Sequence, residues 1–245
     1  MDAQRAEQAN SFGRAADEYE RSRPTYPSEA AGWLVPAAAK TVLDLGAGTG
    51  KFTRSLVARG LDVIAVDPDA AMLATLHSAL PGVRTLTGTA EQIPLPDHSV
   101  DAVTLAQAWH WVDPQLALPE LARVLKPGGT LGLVWNIRDE RADWVRQLSE
   151  IIDHSDAEQF IRGEIVIGAP FGPIERFEVD WVRDMDVESL VTLVESRSYI
   201  ITAGADVRRA ILEGVRGLVA RHPDLRGKPT FELPYRTICF RAALA

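Results

Sequence analysis

The residues whose types and spacing could do chemistry fall between positions 44 and 111. Gly46, Gly48 and Gly50 punctuate the run VLDLGAGTG, residues 42–50. Glycine lacks a Cβ, so the backbone there can turn sharply and let a ligand approach closely. An apolar run that stops in such a turn, with a helix opening at about Lys51, reads as a buried parallel strand of an open α/β sheet. Ligands of such sheets bind outside the carboxyl ends of the strands. Asp67 stands 21 positions beyond Gly46 and ends a second apolar run, where its carboxylate can accept both hydroxyls of a ribose. His110 lies between Trp109 and Trp111 and follows a further strand. It could be a hydrogen-bond donor or a base in a pocket floor, or a satisfied histidine in an aromatic wall.

The glycine spacing decides which nucleotide. A dinucleotide fingerprint needs G-x-G-x-x-G, and its third glycine would fall on Lys51 or Thr53. A phosphate-binding P-loop needs Ser or Thr after Gly-Lys, and Phe52 follows Gly50-Lys51. The surviving pattern, Asp-x-Gly-x-Gly-x-Gly from Asp44, resembles motif I of the class I S-adenosylmethionine-dependent methyltransferases. That resemblance runs from Phe12 to about Trp135 through five ordered motifs. It implies that Asp44, Gly46, Ala47, Gly48, Thr49 and Gly50 form the cofactor turn, that Asp67 and Pro68 meet the ribose, and that Ala106 and Gln107 lie beside the cofactor. The segment F-x-x-x-A-x-x-Y-x-x-x-R-P from Phe12 implies a lid in which Tyr19 and Arg23 face the cofactor, the arginine reaching its methionine carboxylate. The stretch GTAEQIPLP from Gly88 is similar to the family's adenine-binding segment, with Thr89 where Asp or Asn is usual, so Thr89 or the Ala90 amide is left to contact the ring. Glu91 reads as a loop-fixing or helix-start residue. The run Gln107 to Trp111 lacks the Pro-Pro motif of enzymes that methylate exocyclic base nitrogens. It resembles a subgroup that includes trans-aconitate methyltransferase-like proteins. LARVLKPGG is similar to a family segment whose role is a structural turn.

These residues need elements to carry them. The pattern predicts helices over 12–23, 29–39, 51–59, 69–80, 119–125, 139–154, 187–200 and 206–221. It predicts strands over 41–45, 62–69, 83–87, 101–105, 130–135, 177–183 and 231–241, and a loop over most of 155–173. Gly60 reads as a helix C-cap and Asp69 as an N-cap. The expected fold is α/β: a Rossmann-like, seven-stranded, mostly parallel sheet with helices on both faces, a helical cap and an antiparallel last pair. A single domain is expected, with a lid and helix over 1–40, a cofactor-binding core over 41–135, and cap helices and last strands over 136–245. Trp109, Trp111, Arg138 and Arg197 are the candidate substrate-pocket residues.

Composition bounds the alternatives. The chain has 245 residues, 46% of them hydrophobic, enough for one α/β domain with a cap. No apolar run approaches the roughly 20 residues of a membrane span, and the N-terminus lacks a secretory pattern. One cysteine, Cys239, leaves no internal disulfide framework and fits a reducing cytoplasm. The five histidines are scattered, so no metal is expected. A net charge of −8 argues against a nucleic-acid surface. A small molecule is the expected partner, methylated on a carboxylate or hydroxyl oxygen, with S-adenosylhomocysteine as product. A non-catalytic cofactor-binding protein and a dinucleotide oxidoreductase are the rival readings.

Overall fold

The computed structural model describes residues 23–152 and 156–245. Seven strands form one sheet in the order β3-β2-β1-β4-β5-β7-β6. They are β1 (Thr41–Leu45), β2 (Asp62–Asp67), β3 (Arg84–Thr87), β4 (Val100–Ala106), β5 (Leu125–Arg138), β6 (Glu175–Met185) and β7 (Phe231–Ala243). The first five are parallel, whereas β7 runs antiparallel to both β5 and β6. Helices α1 (Ser28–Leu34), α2 (Lys51–Val57), α3 (Ala70–Ala79) and α4 (Pro114–Val124) alternate with the parallel strands. This is the expected Rossmann-like sheet, antiparallel last pair included.

The central strands are apolar on both faces because both faces are covered. Leu43 and Leu45 of β1 join the core under α4, while Val42 joins Phe52 and Leu56 of α2 and Leu34 of α1 on the other side. Gly132 in β5 lets α1 lie close: a Cβ there would stand 3.0 Å from Leu34 Cδ2. A third core, separate from these, fills the cap. It is built from Trp144 and Leu148 of α5 (Asp143–Ile152), Leu190 and Val194 of α7 (Val187–Glu195), Val215 and Leu218 of α9 (Ala205–Arg221), and Phe231, Leu233 and Tyr235 of β7. The cap is therefore rooted on the leading half of β7, which pairs with β6 alone until Tyr235 meets Arg138 of β5. Pro234, with no N–H to give, sits where that second ladder stops.

Several predicted bounds shift for local reasons. The helix predicted over 29–39 ends at Leu34, two residues before Pro36. Helix α4 starts five residues earlier than predicted, at Pro114, with Asp113 Oδ1 accepting from the Gln115 amide at 2.9 Å. Pro119 lies inside it and deprives only the Gln115 carbonyl, on an exposed residue, of its partner. Strand β5 runs back through Lys126-Pro127-Gly128-Gly129, whose register shift against β4 accommodates the predicted turn as a bulge. The predicted helix over 187–200 is split into α7 and α8 (Ser198–Ile201), and the predicted loop after 155 contains α6 (Asp156–Ile161).

Candidate active site

The glycine turn forms at the carboxyl end of β1 as its spacing requires. Gly46, Gly48 and Gly50 have φ of +71°, +55° and +88°, a region that side chains with a Cβ rarely enter. The amides of Gly46 and Ala47 both donate to Val66 O, at 2.8 and 3.1 Å, which ties the turn to the end of β2. A Cβ on Gly46 would lie 2.7 Å from Ala108 Cβ, and one on Gly50 would strike Leu76. At Gly48 a Cβ would meet no heavy atom of the described residues within 4 Å, so among them the turn opens onto space that a ligand can fill.

Two carboxylates support the turn from below and beside. Asp44 is fully buried; Thr53 Oγ1 donates to Oδ2 at 2.6 Å and Thr104 Oγ1 to Oδ1 at 3.3 Å. Loss of solvent pushes its pKa up to about 6 against those two bonds, with the Asp67 charge adding to the rise. Asp67 accepts from Gly48 N and from Asp69 N, each at 2.8 Å. Its pKa is also raised, chiefly by desolvation, although both amides oppose the shift. Each oxygen keeps lone-pair capacity for a further donor. Asp69 caps α3 as predicted, accepting from the Ala71 and Met72 amides.

One cavity gathers much of the predicted set. Arg23, Gly46, Ala47, Gly48, Thr49, Ala106, Gln107, His110, Trp111, Arg138 and Arg197 all line it. Gln107 adopts φ +55° at the end of β4, donates its amide to Val134 O at 2.8 Å, and sends Nε2 to Asn136 O at 3.0 Å. That kink starts the 3-10 turn Trp109–Trp111, which presents His110 and Trp111 to the cavity. Trp109, predicted as a pocket residue, instead points into the core and is 2% exposed; one residue per turn must anchor the segment. Trp135 Nε1 donates to His110 Nδ1 across a long 3.5 Å.

Other calls from the sequence fall outside the cavity wall. Asp44 and Gly50 lie behind the turn, Ala90 is packed in the core, and Thr89 is half-buried in a backbone bridge to Gln92. Asp67 and Pro68 stand beside the lined volume, not on it. Tyr19 lies outside the described residues. Glu91 fixes a loop as read from the sequence: it accepts from the Asp113 amide at 3.0 Å. Sequence reasoning missed Tyr26, Lys51, Phe52, Asn136, Glu158 and Tyr235 on the cavity wall. Asn136 was findable, because it ends a parallel strand next to β4. Glu158 gave no signal, since its six-residue helix runs straight into a stretch rich in turn residues.

No group of three or more His, Cys, Asp or Glu side chains that could hold a metal occurs among the described residues. The open face at Gly48, with the Asp67 carboxylate bonded to the same turn, fits an adenosyl cofactor better than a diphosphate, which would need a run of free amides.

Comparison with known proteins agrees with this geometry. The methyltransferase-domain family matches residues 43–133, the stretch from β1 to β5. An uncharacterized methyltransferase of Mycobacterium tuberculosis is 55% identical over 245 residues, covering all of both chains. A methyltransferase-like protein of Schizosaccharomyces pombe is 35% identical over 233 residues, 91% of each chain. A solved structure from Anaeromyxobacter dehalogenans, described as a candidate type II methyltransferase, is 26% identical with a TM-score of 0.65, covering 90% of this chain and 97% of that one. A dinucleotide oxidoreductase is thereby set aside. Identity at that level across the full length, on a sheet with this strand order and glycine turn, establishes that the chain belongs to the class I methyltransferases.

Proposed function

We propose that the cavity binds S-adenosylmethionine along Gly46–Gly50 and Asp67, and that the acceptor is a small molecule methylated on oxygen. The observation that carries this reading is the shared cavity: the glycine turn of β1 and the polar ends of β4 and β5 open onto one volume. Bound there, the cofactor supplies an electrophilic methyl group on a sulfonium. The protein's part is alignment, which can contribute up to about 7–11 kcal/mol. Gln107, locked at positive φ and bonded to Asn136 O, fixes the wall on the acceptor side. His110 is placed to hold an acceptor oxygen. With the Trp135 N–H directed at Nδ1, the neutral ring carries its proton on Nε2 and acts as a donor. Such a ring positions an oxygen without taking its proton. Arg23 lines the same cavity and suits the cofactor's carboxylate through its planar fork.

Calorimetry with S-adenosylhomocysteine, followed by a labelled-methyl assay over a metabolite panel, tests the reading. Binding of the homocysteine product and transfer of label to a small acceptor are expected, and absence of binding would end it. Once an acceptor is found, His110→Gln should retain most of the rate that His110→Ala loses, because glutamine can still donate. If glutamine is as poor as alanine while both variants bind product normally, His110 is a base after all.

A further inference from the structure

Where β5 ends, the cavity wall holds more positive charge than the described residues compensate. Arg138 closes β5 with a side chain 2% exposed, and Arg197, between α7 and α8, has one that is 8% exposed. Both address the same carboxylate. Arg138 Nη2 lies 3.1 Å from Glu158 Oε1, and Arg197 Nη1 lies 3.2 Å from Oε2. Arg138 Nη2 also donates to Ser149 Oγ at 3.1 Å. Nε and Nη1 of Arg138 and Nε of Arg197 are buried with no hydrogen-bond partner among the described residues. Two cations against one anion leave a surplus positive charge away from water, an arrangement that costs stability until an anion completes it. The other ionisable side chains on the cavity wall do not supply that anion: besides His110, Tyr26 and Tyr235 they are Arg23 and Lys51. Arg138, Arg183 and Arg23 act as positive neighbours of the buried Tyr235, and the Glu158 carboxylate opposes them.

We propose that Arg138 and Arg197 are the binding site for a carboxylate of the methyl acceptor, so that the substrate class is small carboxylic acids. This rests on the cofactor reading above. The location fits an acceptor: β5 lies one strand beyond β4, on the side away from β2 and Asp67, where the ribose is placed. The local surplus of one charge matches a monoanion, and a carboxylate's two oxygens match the edge of a guanidinium fork. Guanidinium N–H groups occupy the lone pairs of the held oxygens, so this carboxylate anchors the acceptor and the methylated oxygen is a second one.

The cofactor has a carboxylate of its own, and the experiment separates the two. Wild type, Arg138→Gln and Arg197→Gln are assayed with labelled S-adenosylmethionine against hydroxy acids and dicarboxylic acids, their primary amides, and phosphate monoesters of the same skeletons. Arg197→Gln keeps the test valid if Arg138→Gln does not fold. Acids should exceed their amides by about 100-fold in kcat/KM. Each single variant, which removes the surplus charge, should raise KM for the best acid by about 30-fold while S-adenosylhomocysteine affinity, by calorimetry, stays within about 3-fold. Loss of S-adenosylhomocysteine affinity with the acid KM unchanged would assign the arginines to the cofactor and overturn the proposal. So would amides as good as acids, or phosphate esters better than either. Failure of wild type to bind S-adenosylhomocysteine would sink the cofactor reading and this one together. Tight product binding with transfer to uncharged acceptors alone would sink only this one.

Discussion

Asp44 carries the clearest pH signature of any single residue. Its folded pKa of about 6 lies above the unfolded value, so the native state binds the proton more readily and stability falls as pH rises through that range. Asp44→Asn removes this dependence. Urea unfolding should show wild type gaining about 2 kcal/mol relative to the variant between pH 7 and pH 4.5. A difference that does not change with pH would mean that Asp44 is not held in this way. Asp101 works in the opposite sense. Partial burial is outweighed by the Lys126 ammonium and the Lys40 and Thr41 amides, which bring it down to about 2, so its contribution is lost as pH falls below the usual carboxylate range. At Asp67, replacement by alanine should weaken S-adenosylhomocysteine binding by about 1–3 kcal/mol, because two hydroxyls and the Gly48 amide lose one acceptor. Unchanged affinity in a folded variant would remove it from the site. Asp67 was legible because its chemistry and its spacing coincide. The division of labour between Trp109 and Trp111 was not, because neighbouring tryptophans are alike until the 3-10 turn sends one inward.

The glycine turn separates two demands that one motif makes together. Gly46 needs both a left-handed backbone and space against Ala108, whereas Gly48 needs only the backbone. Gly46→Ala should therefore cost about 2–5 kcal/mol of stability and Gly48→Ala about 1–2 kcal/mol. Chemical denaturation ranks them, and the reverse order would contradict the contact with Ala108. Strands β1, β2 and β4 were readable because burial on both faces makes them continuous apolar runs. Helix α6, which brings Glu158 to the arginines, was not, because six residues give too little periodicity to count. The arginine of LARVLKPGG proves structural, as its motif implied: Arg123 donates to Glu120, Asp97 and the carbonyls of Ile93 and Leu95, and so pins the loop before β4.

Across the whole molecule the sheet and the approach to the cavity are joined by one polar chain. Trp181 donates to Thr237 at 2.8 Å, Thr237 to Asn136 at 2.6 Å, and Asn136 to the Thr25 carbonyl at 2.9 Å. The segment leading into α1 is thus fastened to the end of β5 and, through it, to the middle of β7. Asn136→Ala should speed amide exchange over 24–28, and S-adenosylhomocysteine should slow it in wild type. Equal exchange with and without product would show that this segment does not respond to the cavity. The cap was expected as helices over the pocket, and its helices hang on the projecting end of β7. Leu233 and Tyr235 belong to the cap interior, while Ile238 and Phe240 on the same strand belong to the sheet core. In mechanical terms the cap is a cantilever: tilting it would bend a beam that continues through the sheet and break its ladder with β6. On the cap side of the cavity, selection among acceptors then falls to the shape and charge of a wall that the sheet itself holds in place.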